Sequence, residues 1–161
     1  MPESTPADAP VPDPDDGLPP PPRPQGSYVP AVLVDGIAYS AGMTPRRDGR
    51  LVVRGTVGAD VSLDEAALAA GLAAGNALSA VAAVAGGLER VRRCVRMTVY
   101  VACAEDFVAL SAVADGASAV LAQHVGAAAL PARSAVGVRR LPDGAPVEVE
   151  LTAAIVNGAA D

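Results

Sequence analysis

The sequence contains few of the residues that build metal sites and disulfide frameworks. Its 161 residues include one histidine, two cysteines and no tryptophan. Neither a Cys-x-x-Cys nor a His-x-x-x-His spacing occurs, so we expect no metal site. Cys94 and Cys103 lie nine positions apart, and nine residues of extended strand span about 30 Å, far beyond the reach of a disulfide. We therefore expect reduced thiols, which suit a cytoplasmic protein.

Long apolar runs are also missing. We find no stretch with the roughly 18 uninterrupted apolar residues of a membrane span, and the chain does not begin with the basic and apolar regions of a secretory signal. The formal net charge of −6 disfavours broad attraction to nucleic acid. One local basic cluster opposes this trend, formed by Arg90, Arg92, Arg93 and Arg96. We expect a cytoplasmic protein without a membrane or nucleic-acid partner.

The first 25 residues differ in composition from the rest of the chain. Residues 1–25 are dominated by Pro, Asp, Glu and Ala and include the run Pro19-Pro20-Pro21-Pro22. Such a segment has too little apolar surface to offset the entropy lost on ordering. We therefore predict a disordered Pro-rich tail over residues 1–25 and one folded domain over residues 26–157.

The first half of this domain is predicted to contain short strands and a long helix. Apolar runs on both sides of Asp35-Gly36 predict a hairpin with a two-residue turn, and residues 51–57 predict a third strand. Ser62 and Glu65 form the pattern of a capping box, so a helix should start near Ser62. Gly86-Gly87 should end it. Its predicted buried stripe is Leu68, Leu72, Gly75, Leu78 and Val81.

The second half begins with a strand and another helix. Residues 91–101 alternate with a period of two, which predicts a long central strand with two chemically different faces. Glu105 and Asp106 place negative charge at the predicted start of the second helix, and Gly126 should end it. The predicted buried stripe of this helix is Phe107, Leu110, Val113, Ala117 and Leu121.

The most informative segment follows, over residues 130–151. Arg133 interrupts an apolar context, and alternating valines occur on both sides of a Pro-Asp-Gly-Ala-Pro turn. We predict that the two strands pair as a hairpin. This pairing would bring Arg133 and Glu148 together as a site for a small carboxylate.

The order of elements predicts the fold class. Three strands, a helix, a strand, a helix and two strands favour an α+β fold, with a six-stranded mixed sheet and both helices on one face. The other face, expected to carry Cys94, Thr98, Tyr100 and Ala135, is too apolar to stay exposed. We therefore predict that this face is buried in a homo-oligomer.

Several motifs carry a resemblance to a known family. They are Pro131-Ala132-Arg133-Ser134, Leu141-Pro142 and Val147-Glu148-Val149-Glu150, preceded by Gly26-Ser27-Tyr28-Val29, Ser40-Ala41-Gly42 and Asn76. Over residues 26–156 the chain resembles the RidA/YjgF family. The resemblance implies a chorismate-mutase-like two-layer fold, assembled as a homotrimer with clefts between subunits.

The family's best-known activity is hydrolysis of reactive enamines and imines to 2-keto acids and ammonia, without a cofactor. By resemblance, Arg133 would bind the substrate carboxylate, Glu148 would position or activate water, and Tyr28 would close the pocket, with the backbone of Gly42 lining it. An imine carbon is already electrophilic, so a protein need only orient it, admit water and move protons. An arginine suits the carboxylate because its planar fork donates two parallel hydrogen bonds.

Two positions depart from the deaminating members of the family. Ala135 stands where those members often have cysteine, and Met43 stands where they often have a polar residue. Both would make the pocket more apolar. The Pro-rich lead into Tyr28 and the Ser-Ala-Val-Gly-Val sequence after Arg133 resemble a less characterised branch of the family. A non-catalytic or pathway-specific trimer that binds a small carboxylate metabolite is therefore an alternative. An endoribonuclease, described for some relatives, is disfavoured by the acidic charge and the lack of an aromatic stacking series.

Each candidate residue could also have a purely structural role instead of a role at the site. An arginine such as Arg133 can form a structural ion pair, and a Val-Glu-Val-Glu strand usually presents acids such as Glu148 to solvent. Tyr28 can anchor the start of the fold by packing. Only the three-dimensional arrangement separates these possibilities.

Overall fold

The computed structural model describes residues 17–157. The disorder predicted for residues 1–16 lies outside the described residues. The remainder of the predicted tail contacts the folded domain, because Leu18 packs against the core and the carbonyl of Pro19 accepts a 2.6 Å hydrogen bond from Ser79 Oγ. Contacts with the folded domain therefore begin at Leu18, before the predicted start of the domain at Gly26.

The described residues form a five-stranded mixed sheet, a short two-stranded hairpin and two long helices. In chain order the elements are β1 (Ala31–Val34), β2 (Ile37–Ser40), β3 (Arg46–Arg47), β4 (Arg50–Leu51), α1 (Leu63–Ala85), β5 (Val91–Ala102), α2 (Leu110–Val125), β6 (Ala132–Val138) and β7 (Val147–Ile155). The sheet order is β1-β2-β7-β5-β6, and β5 and β6 are its parallel pair. The predicted α+β arrangement, with both helices on one mixed sheet, is confirmed.

The prediction of a third strand over residues 51–57 is wrong, and the main sheet therefore has five strands instead of the predicted six. Residues 51–57 do not join the main sheet as a strand; the chain instead forms the small β3–β4 hairpin and then turns. Gly55 has a φ of 128°, and the amide of Thr56 donates to the side chain of Asp60. These local contacts redirect the chain, so that Val57 makes an isolated bridge to Cys103.

The first hairpin and the start of α1 follow the sequence prediction. Asp35 and Gly36 have φ values of 49° and 77°, the left-handed geometry of a tight two-residue turn between paired antiparallel strands. Ser62 Oγ accepts from the amide of Glu65, and the Glu65 carboxylate accepts from the amide of Ser62, which completes the capping box. Gly86 ends α1 in a left-handed conformation with a φ of 90°.

Leu68 is the exception in the predicted stripe of α1. Leu72, Leu78 and Val81 are buried, but Leu68 is 57% exposed and lines a groove between the two helices. α1 is long and apolar enough to cross a membrane by composition alone. However, 78% of its most apolar window is buried inside the fold, as expected for a core helix.

Close approach of the helices explains two glycines. A Cβ added to Gly116 of α2 would lie 1.9 Å from the carbonyl oxygen of Ala67 on α1. A Cβ on Gly71 would lie 3.2 Å from the carbonyl oxygen of Gly116. Gly71 and Gly116 thus permit the two helices to approach closely.

α2 begins later than predicted. Glu105 and Asp106 lie in a turn, and the helix starts at Leu110 after Ala109, which provides no side-chain cap. Phe107 is held by the turn instead, since its amide donates to the carbonyl of Ala104. The two acids therefore do not interact with the first turn of α2, whereas the predicted end at Gly126 is confirmed.

β5 does not keep one alternation along its length. Its register against β7 shifts between Val91 and Arg93 and again between Cys94 and Arg96. These irregularities turn Cys94 into the core, with no exposed surface, and leave Val95 42% exposed. The prediction that Cys94 lies on the open face is therefore wrong, because each bulge reverses the side-chain direction that a period of two implies.

The last two strands do not form the predicted hairpin. β6 pairs with one edge of β5 in parallel, and β7 pairs with the other edge antiparallel. The crossover through α2 returns the chain parallel to β5, and β7 then runs back on the opposite side. β5 therefore separates Arg133 from Glu148.

Candidate functional site

A cavity of about 260 Å³ opens where the Tyr28 segment, the loop after β2 and the start of β7 meet. Glu148 lies on the sheet face opposite the helices, since it pairs with Tyr100 and alternates with the buried residues Val147 and Val149. The cavity is lined by Gln25, Tyr28, Ala41, Gly42, Thr44, Arg46, Pro142 and Glu148. The structure thus brings together three residues predicted for the site: Tyr28, Gly42 and Glu148.

Glu148 lies directly against the backbone of Gly42. A Cβ added at Gly42 would lie 1.9 Å from Glu148 Oε1 and 2.7 Å from its carboxyl carbon. The bridge between Met43 and Val149 fixes this approach, since each amide donates to the other's carbonyl at 2.8 Å. Glycine at position 42 is therefore required for space, and it sets the position of the Glu148 carboxyl group.

The Glu148 carboxyl group is poorly stabilised as an anion. Partial burial raises its pKa above the usual 4.5, and the nearby charge of Glu150 raises it further. Within residues 17–157, no donor forms a hydrogen bond to this carboxyl group. Glu148 is thus a half-buried carboxyl group that can accept or donate a proton above its ordinary pH range.

Glu150, two residues further along β7, differs from Glu148 because it has a hydrogen-bond partner. Its Oε1 accepts a 2.8 Å hydrogen bond from the hydroxyl of Tyr100. It faces a second small cavity in the middle of the open sheet face, with Tyr39 and Arg96. Glu150 therefore has a partner within its own chain, whereas Glu148 does not.

Tyr28 forms one wall of the Glu148 cavity and is 46% exposed. Its hydroxyl oxygen accepts a 3.1 Å hydrogen bond from the amide of Gln25. That contact uses the oxygen as an acceptor and leaves the hydroxyl proton available to a ligand. The position fits the predicted role of Tyr28 at the pocket.

Arg46 lines the cavity and was not predicted from the sequence. Its guanidinium donates through Nε to Thr44 Oγ1 and through Nη1 to the carbonyl of Gly49, and it forms an ion pair with Asp143. The side chain is 14% exposed. Asn76 on α1 supports this hairpin by donating to the carbonyls of Thr44 and Arg46. The available signal was indirect: Arg46 is four residues after Gly42 and two residues before the Asp48-Gly49 turn.

Arg133 does not reach this cavity within one chain. Its partner in the sheet is the fully buried Met97, so its side chain points to the helix side. There Nη1 donates to Asp115 and Ser118, and Nη2 donates to the hydroxyl and carbonyl of Ser111. Glu148 lies on the other sheet face and two strands away, about 10 Å across the sheet. Each Nη group thus already makes two hydrogen bonds to α2.

Ala135 and Met43, the two predicted substrate-binding departures, also lie away from the cavity. Ala135 pairs with Val99 and packs against the core, so its prediction on the open face is wrong. Met43 is buried to 7% exposure within the core cluster. Within one chain, the apolar wall of the cavity comes instead from Ala41 and Pro142.

Known proteins are similar to this chain in sequence and in fold. The sequence profile described as Endoribonuclease L-PSP matches residues 20–155. Protein TCP17 of Trypanosoma cruzi is 36% identical over 137 residues, which cover 83% of this chain and 84% of that protein. The profile match spans the sheet, the helices and the Glu148 cavity.

Two solved structures have a fold similar to that of this chain. Atu1372 from Agrobacterium tumefaciens, a protein of unknown function, is 37% identical, with a TM-score of 0.76 over 80% of this chain and 82% of that chain. The YjgF gene product of E. coli is 26% identical, with a TM-score of 0.61 over 83% of this chain and 92% of that chain. The chain therefore belongs to the RidA/YjgF family.

Proposed function

We propose that the protein hydrolyses small imine and enamine carboxylates to 2-keto acids and ammonia, without a cofactor, in the cavity formed by Tyr28, Gly42 and Glu148. The observation that carries this proposal is the Glu148 carboxyl group, which is half-buried, has a raised pKa and has no donor within residues 17–157. A group of this kind suits proton transfer to and from water.

The proposed reaction needs only proton movement and orientation. The Glu148 carboxylate accepts a proton from water as the water oxygen bonds to the imine carbon, and the electrons of the carbon–nitrogen double bond move to nitrogen. Glu148 then returns this proton to the nitrogen, which gives the amino alcohol. In the next step Glu148 takes the hydroxyl proton and delivers it to the nitrogen, so that the carbon–nitrogen bond breaks, the carbonyl forms and ammonia leaves. The Tyr28 hydroxyl can donate to the polar intermediate.

Two arginines are candidates for the substrate carboxylate. Family resemblance favours Arg133, which would have to come from a neighbouring copy in a homotrimer, because in its own chain it faces α2. Arg46 already lines the cavity. Our proposal retains Arg133 as the carboxylate ligand at a cleft between subunits and gives Arg46 the role of a fixed positive charge beside it.

The open sheet face supports assembly. It carries the exposed apolar residues Val32, Tyr39 and Val136, at 43%, 46% and 38% exposure. Burial of such a face in a trimer would remove apolar surface from water and bring the edge strand β6 near a neighbouring copy. A monomer by light scattering at assay concentration would contradict the intersubunit cleft.

The first test compares two acids of the same strand. Imines generated in situ from amino acids are incubated with wild type, Glu148→Gln and Glu150→Gln, and keto-acid release is measured. We expect Glu148→Gln to lose about 10²- to 10⁴-fold in kcat, the range for a general base. Glu150→Gln is the matched control and should retain turnover near neutral pH. Equal activity of all three proteins would overturn the proposed role of Glu148.

The second test compares three arginines. Arg133→Lys and Arg46→Gln are assayed against Arg50→Gln, an exposed arginine of the same hairpin as Arg46. A rise in KM confined to Arg133→Lys supports Arg133 as the carboxylate ligand, because lysine cannot reproduce the two-pronged contact. A rise confined to Arg46→Gln transfers that role to Arg46.

A trimer that binds a small carboxylate metabolite without turnover is the second candidate. The observation that favours it is that Arg46 and Glu148 line the same cavity, whose other walls include Ala41 and Pro142. Such a pair can hold a zwitterion without chemistry. Saturable binding of an amino acid by calorimetry, with no acceleration of imine hydrolysis over buffer, would favour this function.

A further inference from the structure

A third cavity, of about 570 Å³, has three arginines in its lining. Arg54 comes from the segment after β4, and Arg139 and Arg140 directly follow β6. The rest of the lining consists of small or uncharged residues and one acid: Gly55, Thr56, Ala102, Leu141, Asp143, Gly144 and Ala145. Distant parts of the sequence thus contribute three arginines to the lining of one cavity.

The single acid of this lining is already engaged. The Asp143 carboxylate pairs with Arg46, which lines the other cavity, and the Asp143 carbonyl accepts from Arg54. Within residues 17–157, Arg139 and Arg140 form no ion pair or hydrogen bond. The cavity therefore keeps an excess of positive charge in a protein whose formal net charge is −6.

The arginines of β5 show that this arrangement is not general. Arg93 donates to the carbonyls of Cys94 and Leu130, and Arg96 donates to Ser134 Oγ. Arg90 donates to the carbonyl of Val156. Most of that sequence cluster is thus bound by its own chain, whereas Arg139 and Arg140 are free to bind another anion.

We propose that Arg54, Arg139 and Arg140 bind a small phosphate-bearing anion in this cavity. Guanidinium groups form paired, charge-assisted hydrogen bonds with phosphate oxygens. The Thr56 hydroxyl, which has no hydrogen-bond partner in the described part of the chain, adds a neutral donor. The lining contains no aromatic side chain on which a nucleobase could stack, so the ligand is a compact phosphate ester or diphosphate rather than RNA.

The test measures binding of pyrophosphate and inorganic phosphate to the full-length protein by calorimetry. Arg139→Gln and Arg140→Gln are compared with Arg92→Gln, an exposed arginine on β5 outside the cavity. We expect saturable pyrophosphate binding that each cavity variant weakens about tenfold or more and the control leaves unchanged. All three arginines are exposed, and thermal unfolding verifies that the variants remain folded.

Four outcomes would overturn the proposal. Pyrophosphate and phosphate could both fail to bind wild type, or they could bind with an affinity that neither cavity variant alters. Citrate could bind as tightly as pyrophosphate with the same arginine dependence, which would show selection by charge alone. An RNA oligonucleotide could bind more tightly than pyrophosphate through the same arginines, which would replace the small ligand by nucleic acid.

Discussion

The Arg133 cluster, formed by Arg133, Ser111, Asp115 and Ser118, and the Glu148 cavity differ in how their charges are satisfied. The Nη groups of Arg133 make four hydrogen bonds to α2. The carboxyl group of Glu148 has no donor in residues 17–157, and burial raises its pKa. The bonds of Arg133 to α2 stabilise the fold and would have to rearrange before Arg133 could bind a substrate carboxylate, whereas the Glu148 carboxyl group is available for a ligand or a reaction without such rearrangement.

The largest effect should come from replacing Gly42. In Gly42→Ala the new Cβ would lie 1.9 Å from Glu148 Oε1, so the carboxyl group must move. We expect a loss of turnover close to that of Glu148→Gln, about 10²- to 10⁴-fold. The double variant Gly42→Ala/Glu148→Gln should lose no more than either single variant, because both act through one carboxyl group. Additive losses would show that Gly42 acts independently of Glu148.

The second prediction concerns the stability supplied by the Arg133 cluster. Arg133→Ala should lower the free energy of unfolding by about 1–2 kcal/mol, because it removes charge-assisted hydrogen bonds to α2. Asp115→Asn should cost less, about 0–1 kcal/mol, since the Asp115 side chain is 71% exposed. Urea denaturation measures both. Unchanged stability in Arg133→Ala would show that the cluster is not structural.

Glu148 should have the opposite effect on stability, and the effect should depend on pH. Its folded pKa lies above 4.5, so the unfolded carboxyl group loses its proton first as pH rises. The contribution of Glu148 to the free energy of unfolding is therefore fully present below pH 4.5 and is lost as pH rises through the folded pKa. Glu148→Gln avoids this loss and should be at least as stable as wild type at pH 7. Denaturation at pH 4 and pH 7 tests this; a variant less stable than wild type at pH 7 would contradict it.

The smallest effect should be a shift in a pH profile. If Glu148 acts as a base, kcat/KM falls as pH drops below its raised pKa. Removal of the Glu150 charge lowers that pKa, because Glu150 is the second cause of the shift after burial. The acid limb of Glu150→Gln should therefore lie at lower pH than that of wild type. If the acid limb of Glu150→Gln lies at the same pH as that of wild type, the limb does not report the ionisation of Glu148.

Short-range patterns predicted the local structure well. The Asp35-Gly36 turn, the Ser62 capping box and the left-handed end of α1 at Gly86 each depend on residues within a few positions of one another. Their physical causes are backbone geometry and side-chain hydrogen bonds to nearby amides. Such causes are visible in a sequence without knowledge of the rest of the fold.

Longer-range features were predicted less well. The bulges of β5 reverse the direction of Cys94 and depend on pairing with β7, a strand more than forty residues later in the sequence. Arg46 belongs to the Glu148 cavity because Asn76 and Asp143 hold its hairpin in place. No local motif distinguishes Arg46 from Arg50, which the same hairpin leaves exposed.

The sequence by itself determined the first hairpin, the order of the two helices, the family, and three residues that line the candidate cavity, Tyr28, Gly42 and Glu148. Only the tertiary structure decided that β5 lies between β6 and β7 and that Arg133 faces α2. The physical reason is that turns and caps act over a few residues, whereas strand order and the choice of sheet face follow from packing the whole chain. A motif can therefore identify a charged residue, but the fold decides which partners it finds.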